Sequence, residues 1–437
     1  MRTGIFQIIL LLACGFVITI AVLMFSGVIP GFKSQSGVSR GTLVLWGTLP
    51  QVNMLNLISS FNKEEDQQYD LRYVQKSPAT LEEEFVDALA RNEGPDLILL
   101  PEHLLISQGD KLYPIPANRL PLRDFRDTYI EVGEIYIMPE GIMALPLTID
   151  PLVMYYNRDL YASAGLPTVP STWSGLIKNH SALTELGDRG LVVKSGLAFG
   201  TANNIARAKD VLAMLILQAG SPIVIRNNTT GDYQSVLHIS PKSNSAGSPA
   251  GAALDFFTSF ANPQTITYSW NESMPVESTA FAAGKLAHYF GYASEADDIR
   301  QMNPNLNFDI AVVPQRDNVG RKLTLGRLTG IAIVINTRSL DGAYAAALKL
   351  ASSAYTRDIA LIAKVPSARR DLLAEPTNDL YGDVFYKSAI MSTTWLDPNE
   401  KGTKAVFDEM IRQKNIGRTQ TSAIINEANQ KIDLLIK

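Results

Sequence analysis

The run Asp96-Leu-Ile-Leu-Leu100 constrains the fold of this chain most, because it has no polar alternation and is fenced by Gly94-Pro95 before it and Pro101 after it. A strand that is apolar on both faces needs cover on both, which suits a parallel sheet flanked by helices. The preceding residues supply such partners. Thr42 to Trp46 reads as a buried strand, and Met54, Leu57, Ile58 and Phe61 recur at helical spacing after Pro50. Tyr69 to Val74 reads as another strand. Thr80-Leu-Glu-Glu83 has the form of a capping box, opening a helix whose inner face is Leu81, Phe85, Ala88 and Leu89. The unit is βαβαβ. In open sheets of this kind ligands bind beyond the carboxyl ends of the strands, which here carry Trp46 to Leu49 and Pro101-Glu102-His103. A ring directly after a buried strand serves packing as readily as ligand contact, so both readings stay open for Trp46.

At 437 residues the chain exceeds one ordinary core and predicts two or three domains. Hydrophobic residues at 46%, charged residues at 19% and a net charge of −4 describe a mildly acidic globular body and argue against a nucleic-acid partner. The mean hydropathy of +0.04 is raised by one segment, Ile5 to Ile29, which carries no charge. A bilayer core needs ~20 helical residues, whereas the apolar part of a cleaved signal peptide is ~7 to 15. Residues 1–32 are therefore read as a transmembrane anchor. The alternative is lipidation at Cys14, since Leu11-Leu12-Ala13-Cys14 is similar to a lipoprotein signal box; the apolar run, however, continues for about four helical turns beyond it. Arg2 and the amino terminus before the run, against Lys33 after it, favour the short end inside and the body outside the cell membrane. Cys14 is the only cysteine, so an exported body has no disulfide. Residues 33–40, small and polar, form a flexible tether.

A more specific series begins at Gly141: Gly-Ile-Met-Ala-Leu-Pro146, Leu152-Val-Met-Tyr-Tyr-Asn157-Arg-Asp-Leu-Tyr161, Ala164-Gly-Leu-Pro167 and Pro170-Ser-Thr-Trp173. Further pieces are Gln218-Ala-Gly220, Tyr268-Ser-Trp270-Asn271, Ala280 to Ala287, Val312-Val-Pro314, Pro366-Ser-Ala-Arg369 and a helical tail from Thr403. Together they resemble the family-1 extracellular solute-binding proteins, the group that includes maltodextrin-binding protein and many sugar-binding subunits of ABC importers. The series departs from the family at Gly175, where an acidic residue usually follows the tryptophan, and this weakens the helix start that Thr172 would cap. The resemblance implies a two-lobed α/β periplasmic-binding-protein-like fold of type II, with a ligand cleft between discontinuous lobes, preceded here by the one transmembrane helix read from residues 1–32. It implies crossings near Leu147 to Asp150 and Arg327 to Ile331, hence an N-lobe of 41–147 and 331–376 and a C-lobe of 148–330 and 377–437. The implied activity is capture of a small polar solute, a sugar or oligosaccharide, by hinge closure and its presentation to ABC permease subunits, with no cofactor and no catalysis.

Sugars offer apolar CH faces to aromatic rings and hydroxyls to carboxylates and amides. From position and the resemblance together, Trp46, Thr48, Glu102 and His103 would line the N-lobe wall, Asp150 the hinge, and Asn203, Trp270, Tyr292 and Trp395 the C-lobe wall. Trp270 and Trp395 lie in polar surroundings, which predicts half-exposed rings; packing is the alternative for both, as turn capping is for Asp150. Trp173 is read as core. Enzyme readings find no constellation. The histidines at 103, 180, 238 and 288 lack metal-ligand spacing, no Gly-x-Ser-x-Gly elbow occurs, and Gly284-Lys285 lacks the rest of a phosphate loop. The runs Glu82-Glu83-Glu84 and Asp297-Asp298 read as solvated helix faces, and Asn227-Asn-Thr229 matches a glycosylation sequon by spacing alone. A glycan hydrolase would need paired acids in the cleft, and a ligand-sensing receptor would need a signalling partner; both remain as alternatives.

Overall fold

The computed structural model describes Gly4, Cys14, Gly15 and residues 41–64, 68–227, 231–239 and 248–436. Among these residues no helix is long and apolar enough to cross a membrane. The anchor expected over residues 1–32 and the tether over 33–40 lie outside the described residues, apart from Gly4, Cys14 and Gly15, and the sequon is described only at Asn227.

The body is a two-lobed α/β structure. Strands β1 (Gly41–Gly47), β2 (Tyr69–Gln75) and β3 (Leu97–Pro101) alternate with helices α1 (Gln51–Lys63) and α2 (Leu81–Ala90), and β1 pairs in parallel with both β2 and β3. Leu97 to Leu100 are buried throughout, because Leu97 and Leu99 face one core cluster and Ile98 and Leu100 another. On α1, Met54, Leu57 and Phe61 are buried; on α2, Leu81, Phe85 and Ala88 are. The expected capping box at Thr80 does not form. Thr80 has φ −122° and ψ −2°, not the extended backbone of such a cap, and its hydroxyl donates to Glu84 instead (2.6 Å).

Two long strands, β4 (Leu145–Asn157) and β8 (Thr324–Val334), join the halves of the molecule. The second half adds α3 (Trp173–Leu183), β5 (Val192–Leu197), α4 (Ala208–Gln218), α5 (Pro249–Ser259), β6 (Leu286–Tyr292), α6 (Ala296–Met302) and β7 (Phe308–Ala311) before β8. After β8 come α7 (Leu340–Leu350), α8 (Ser353–Ala363), the short strand β9 (Ser392–Thr393), α9 (Glu400–Ile416) and α10 (Thr421–Ile436). The main sheet runs β2-β1-β3-β8-β4-β6-β5, with β7 on β4 and β9 on β8. Along β4, Leu145 and Leu147 enter the cluster around Phe61, while Leu152 to Tyr155 enter the larger one around Phe199 and Trp270. Strand β8 makes the same passage, from Leu325 in the larger cluster to Ile331 and Ile333 in the other.

Motif pieces far apart in sequence meet at one side chain. Gln218, at the end of α4, accepts from the Trp173 indole (2.7 Å) and donates to the carbonyls of Pro314 (3.0 Å) and Leu323 (3.1 Å). Trp173 is core, stacked on Phe290 at 5.6 Å. The helix start at Thr172 survives Gly175, whose amide donates to the Thr172 hydroxyl at 3.3 Å. A Cβ at position 175 would lie 2.9 Å from the Pro170 Cβ, so the backbone leaves little room for the acid expected there.

Candidate functional site

Strand β8 has an open edge between its two partners. Thr329 to Ile333 pair with β3, Thr324 and Leu325 pair with β9, and Gly326 to Leu328 lie between them. Residues just past the ends of β3 and β9 converge on that gap. Glu102 and His103 come from one side, Thr394 and Trp395 from the other; Lys209, Asp210, Tyr292, Asp397 and Glu400 complete the lining of a cavity of about 30 Å³. The lining mixes residues of both halves, next to the strands that join them.

The chemistry is dominated by charge. The Arg327 guanidinium lies 3.1 Å from Asp210 and 3.5 Å from Glu400. Lys209 forms a buried ion pair with Asp397 and donates to the Glu400 carbonyl (3.2 Å). Arg207 pairs with Glu295 (2.7 Å). Glu102 accepts from the Leu328 amide (2.9 Å), satisfying one N–H of the open edge. Burial raises the Glu102 carboxyl to about 8, against the smaller opposing pull of that amide and of Arg327, so it is protonated at neutral pH. Burial lowers His103 below its ordinary value, against the carboxylates of Glu400 and Asp397. Asp150 stands opposite Arg327 across the β4–β8 pair and accepts from the Ser294 amide (3.1 Å) and hydroxyl (2.6 Å). Desolvation pushes it up to about 6.

Of the residues singled out in the sequence, Glu102, His103, Tyr292 and Trp395 line this cavity together, and Asp150 flanks it. Trp46 ends β1 with its ring under the Lys76 ammonium (3.8 Å), and Thr48 follows it half-buried. Asn203 is exposed and donates to Glu272 (3.2 Å). The half-exposed rings predicted for Trp270 and Trp395 are not observed: Trp270 is 0% and Trp395 7% exposed. The polar neighbours of Trp270 face inward, its indole donating to Asn204 (3.1 Å), which also bridges the Asn271 and Met274 carbonyls (both 2.9 Å). Polar sequence context here signals a buried hydrogen-bond knot and not exposure. Among the described residues no group of histidine, cysteine, aspartate and glutamate is arranged to hold a metal ion. The cleft does gather several acids. Asp210, Asp397 and Glu400 are held by Arg327 and Lys209, and Glu102 by the Leu328 amide.

Residues 56–363 match the family model described as bacterial extracellular solute-binding protein. The chain belongs to this family. Solved structures with a similar fold include a cyclo/maltodextrin-binding protein complexed with maltotetraose, 17% identical over 91% of this chain and 97% of that one, with a TM-score of 0.72. The cyclic alpha-maltosyl-1,6-maltose binding protein of Arthrobacter globiformis is 14% identical over 91% and 99%, with a TM-score of 0.72. The sugar-binding protein MalE of Xanthomonas citri is 16% identical over 90% and 97%, with a TM-score of 0.71. A comparison with curated protein sequences finds no match.

In this solute-binding protein the charged residues Lys76, Arg207, Lys209, Asp210, Glu295, Arg327, Asp397 and Glu400 escaped the reading of the sequence. One had a visible signal: Arg327 is the one charged residue between Leu323 and Ile335, as Asp150, already singled out, is the one between Gly141 and Tyr156. A single charge inside a buried strand needs a reason, and here the two are partners across the β4–β8 pair.

Proposed function

We propose that this chain is the extracytoplasmic solute-binding subunit of an ABC importer, which catches a small polar solute between its lobes and presents it to a membrane permease. The observation that carries the reading is the mixed cavity at the open edge of β8, lined from both halves where the two connecting strands cross. Ligand closes such a cleft by adding contacts to both walls at once. The sugar-binding names of the structural neighbours support a carbohydrate or carbohydrate-like solute. The lobes would be 41–147 with 331–376, and 148–330 with 377–437. The uncharged run Ile5 to Ile29 would hold the body at the outer face of the cell membrane as a single span.

The test is a thermal-shift screen of the purified chain against a library of small polar solutes, followed by small-angle scattering with the best stabiliser. A ligand raises stability by RT ln(1 + [L]/Kd), so a true solute gives a saturable rise. Closure then lowers the radius of gyration. An unchanged radius under demonstrated saturation defeats hinge closure, and turnover of a glycan would favour the hydrolase reading. Protease added outside intact cells should remove the body and leave the N-terminal peptide in the membrane; a mature chain beginning at a lipidated Cys14 would replace the anchor but not the binding role.

A further inference from the structure

We propose that the solute taken at the hinge end of this cleft carries a cationic group, an ammonium or guanidinium, and that the Arg327 side chain holds the position this group takes. The inference rests on the solute-binding reading and narrows its ligand.

The first ground is the balance of charge. Four carboxyl groups, Glu102, Asp210, Asp397 and Glu400, line the cavity against two cations, Lys209 and Arg327. Lys209 and Asp397 satisfy each other in a pair whose side chains are both 8% exposed. That leaves two carboxylates, Asp210 and Glu400, around one guanidinium, with the neutral Glu102 carboxyl beside them, His103 3.6 Å from Glu400 and Asp150 behind on the neighbouring strand.

The second ground is the use of the rings. Tyr292 carries Arg327 at 4.4 Å and Arg207 at 5.3 Å, Trp395 carries Lys209 at 5.6 Å, and Trp46 carries Lys76 at 3.8 Å. Each of these aromatic faces already serves as a platform for a positive charge. A neutral sugar would have to remove a cation from the ring before stacking its CH face there. A cationic solute exchanges like for like.

The third ground is an unmet polar group. The Tyr292 hydroxyl, on a residue 1% exposed that lines the cavity, has no hydrogen-bond partner. It can accept from an ammonium or guanidinium N–H. Of the two cations in the cavity Arg327 is the accessible one, its side chain 40% exposed against 8% for Lys209, so water is within its reach when it is displaced.

The experiment uses the full-length chain in detergent, with Arg327→Ala and, in case that variant does not fold, Arg327→Met, which keeps the stem. Binding is measured by calorimetry with two matched pairs at constant ionic strength: glucosamine against glucose, and methylguanidinium against methylurea. The expected result is at least about tenfold tighter binding of the cationic member of a pair, and a further gain of about tenfold when Arg327 is removed, each tenfold step being about 1.4 kcal/mol. If glucose or maltotetraose binds either protein as tightly as the cationic probes, the inference falls while the solute-binding reading stands. If no probe binds the parent or either variant, the inference also falls, and the library screen decides the wider reading independently.

Discussion

The four tryptophans divide between two regions that burial alone does not separate. Trp173 and Trp270 lie in the interior of the larger core, Trp395 lines the cavity and Trp46 lies near the carboxyl end of β1, yet all four are between 0% and 7% exposed. The interior pair are fixed by side-chain amides, Trp173 by Gln218 and Trp270 by Asn204. The other two lie beneath lysine ammonium groups, Trp46 under Lys76 and Trp395 under Lys209. A hydrogen bond from the indole N–H to a buried amide oxygen locks a ring in one place. A cation over the ring face can be exchanged, so what touches the ring tells packing from recognition where exposure does not.

Truncating one ring from each region should separate them most widely. Trp270→Ala removes a fully buried ring and leaves Asn204 short of a donor, so it should cost about 3–5 kcal/mol of stability with the affinity of the folded fraction unchanged. Trp395→Ala takes away the ring beside Lys209 and should cost less stability while changing solute affinity. Urea unfolding and calorimetry on both variants measure the two quantities. Equal losses of stability with unchanged affinity in both would erase the distinction.

The same contrast explains what could be read in the sequence. The first βαβαβ unit was legible because Leu97 to Leu100 and the spacing of Met54, Leu57 and Phe61 are local patterns set by burial. The carboxyl ends of β1 and β3 followed from that, and with them Trp46, Glu102 and His103. Arg207 and Arg327 stayed hidden because they meet on Tyr292 from positions 120 residues apart, which only the fold brings together. Helix α4 begins at Ala208, after Thr201 and Asn204 are tied into the knot around Trp270. Trp270 itself was misread because a ring among serine, asparagine and glutamate satisfies its neighbours inward as well as outward.

Acid and base should pull the two regions in opposite directions. In the core, His288 is 1% exposed between the Tyr161 hydroxyl and the Gly196 carbonyl, both at 2.6 Å, and burial lowers it to about 4. The unfolded chain takes up that proton first, so stability falls as pH drops from 6.5 towards 4. Glu102 in the cleft behaves inversely. Its folded value of about 8 lies above the ordinary 4.5, so the unfolded chain loses the proton first and a penalty grows as pH rises between those values. Glu102→Gln should therefore gain stability over the parent at the upper end of that window, on the order of a few kcal/mol at about 1.4 per unit, and none at its lower end. Urea unfolding at both ends decides it. A gain that does not change with pH would mean that Glu102 is not held neutral.

The smallest effect is expected where the two halves touch outside the cleft. Lys364 follows α8 in a left-handed turn (φ 57°) and donates to Asp297 in the first turn of α6 (2.7 Å). Helix α8 packs on the cluster around Phe61 and α6 on the larger one, so this ion pair bridges the two bodies. The hydrogen bond from Lys364 holds the Asp297 carboxyl below its ordinary range, yet the side chains are 62% and 40% exposed and water screens most of the attraction. Lys364→Ala should leave the unfolding midpoint where it is. What should change is the salt dependence of the shape: the screening length falls from ~10 Å at 0.1 M to ~3 Å at 1 M, so added salt loosens the parent and raises its radius of gyration slightly. The variant, which keeps the Arg321–Glu131 and Arg226–Glu140 pairs between the halves but lacks this one, should show a smaller rise. Small-angle scattering at the two salt concentrations measures this directly, and an identical salt response in both proteins would show that the bridge does not influence how the lobes sit.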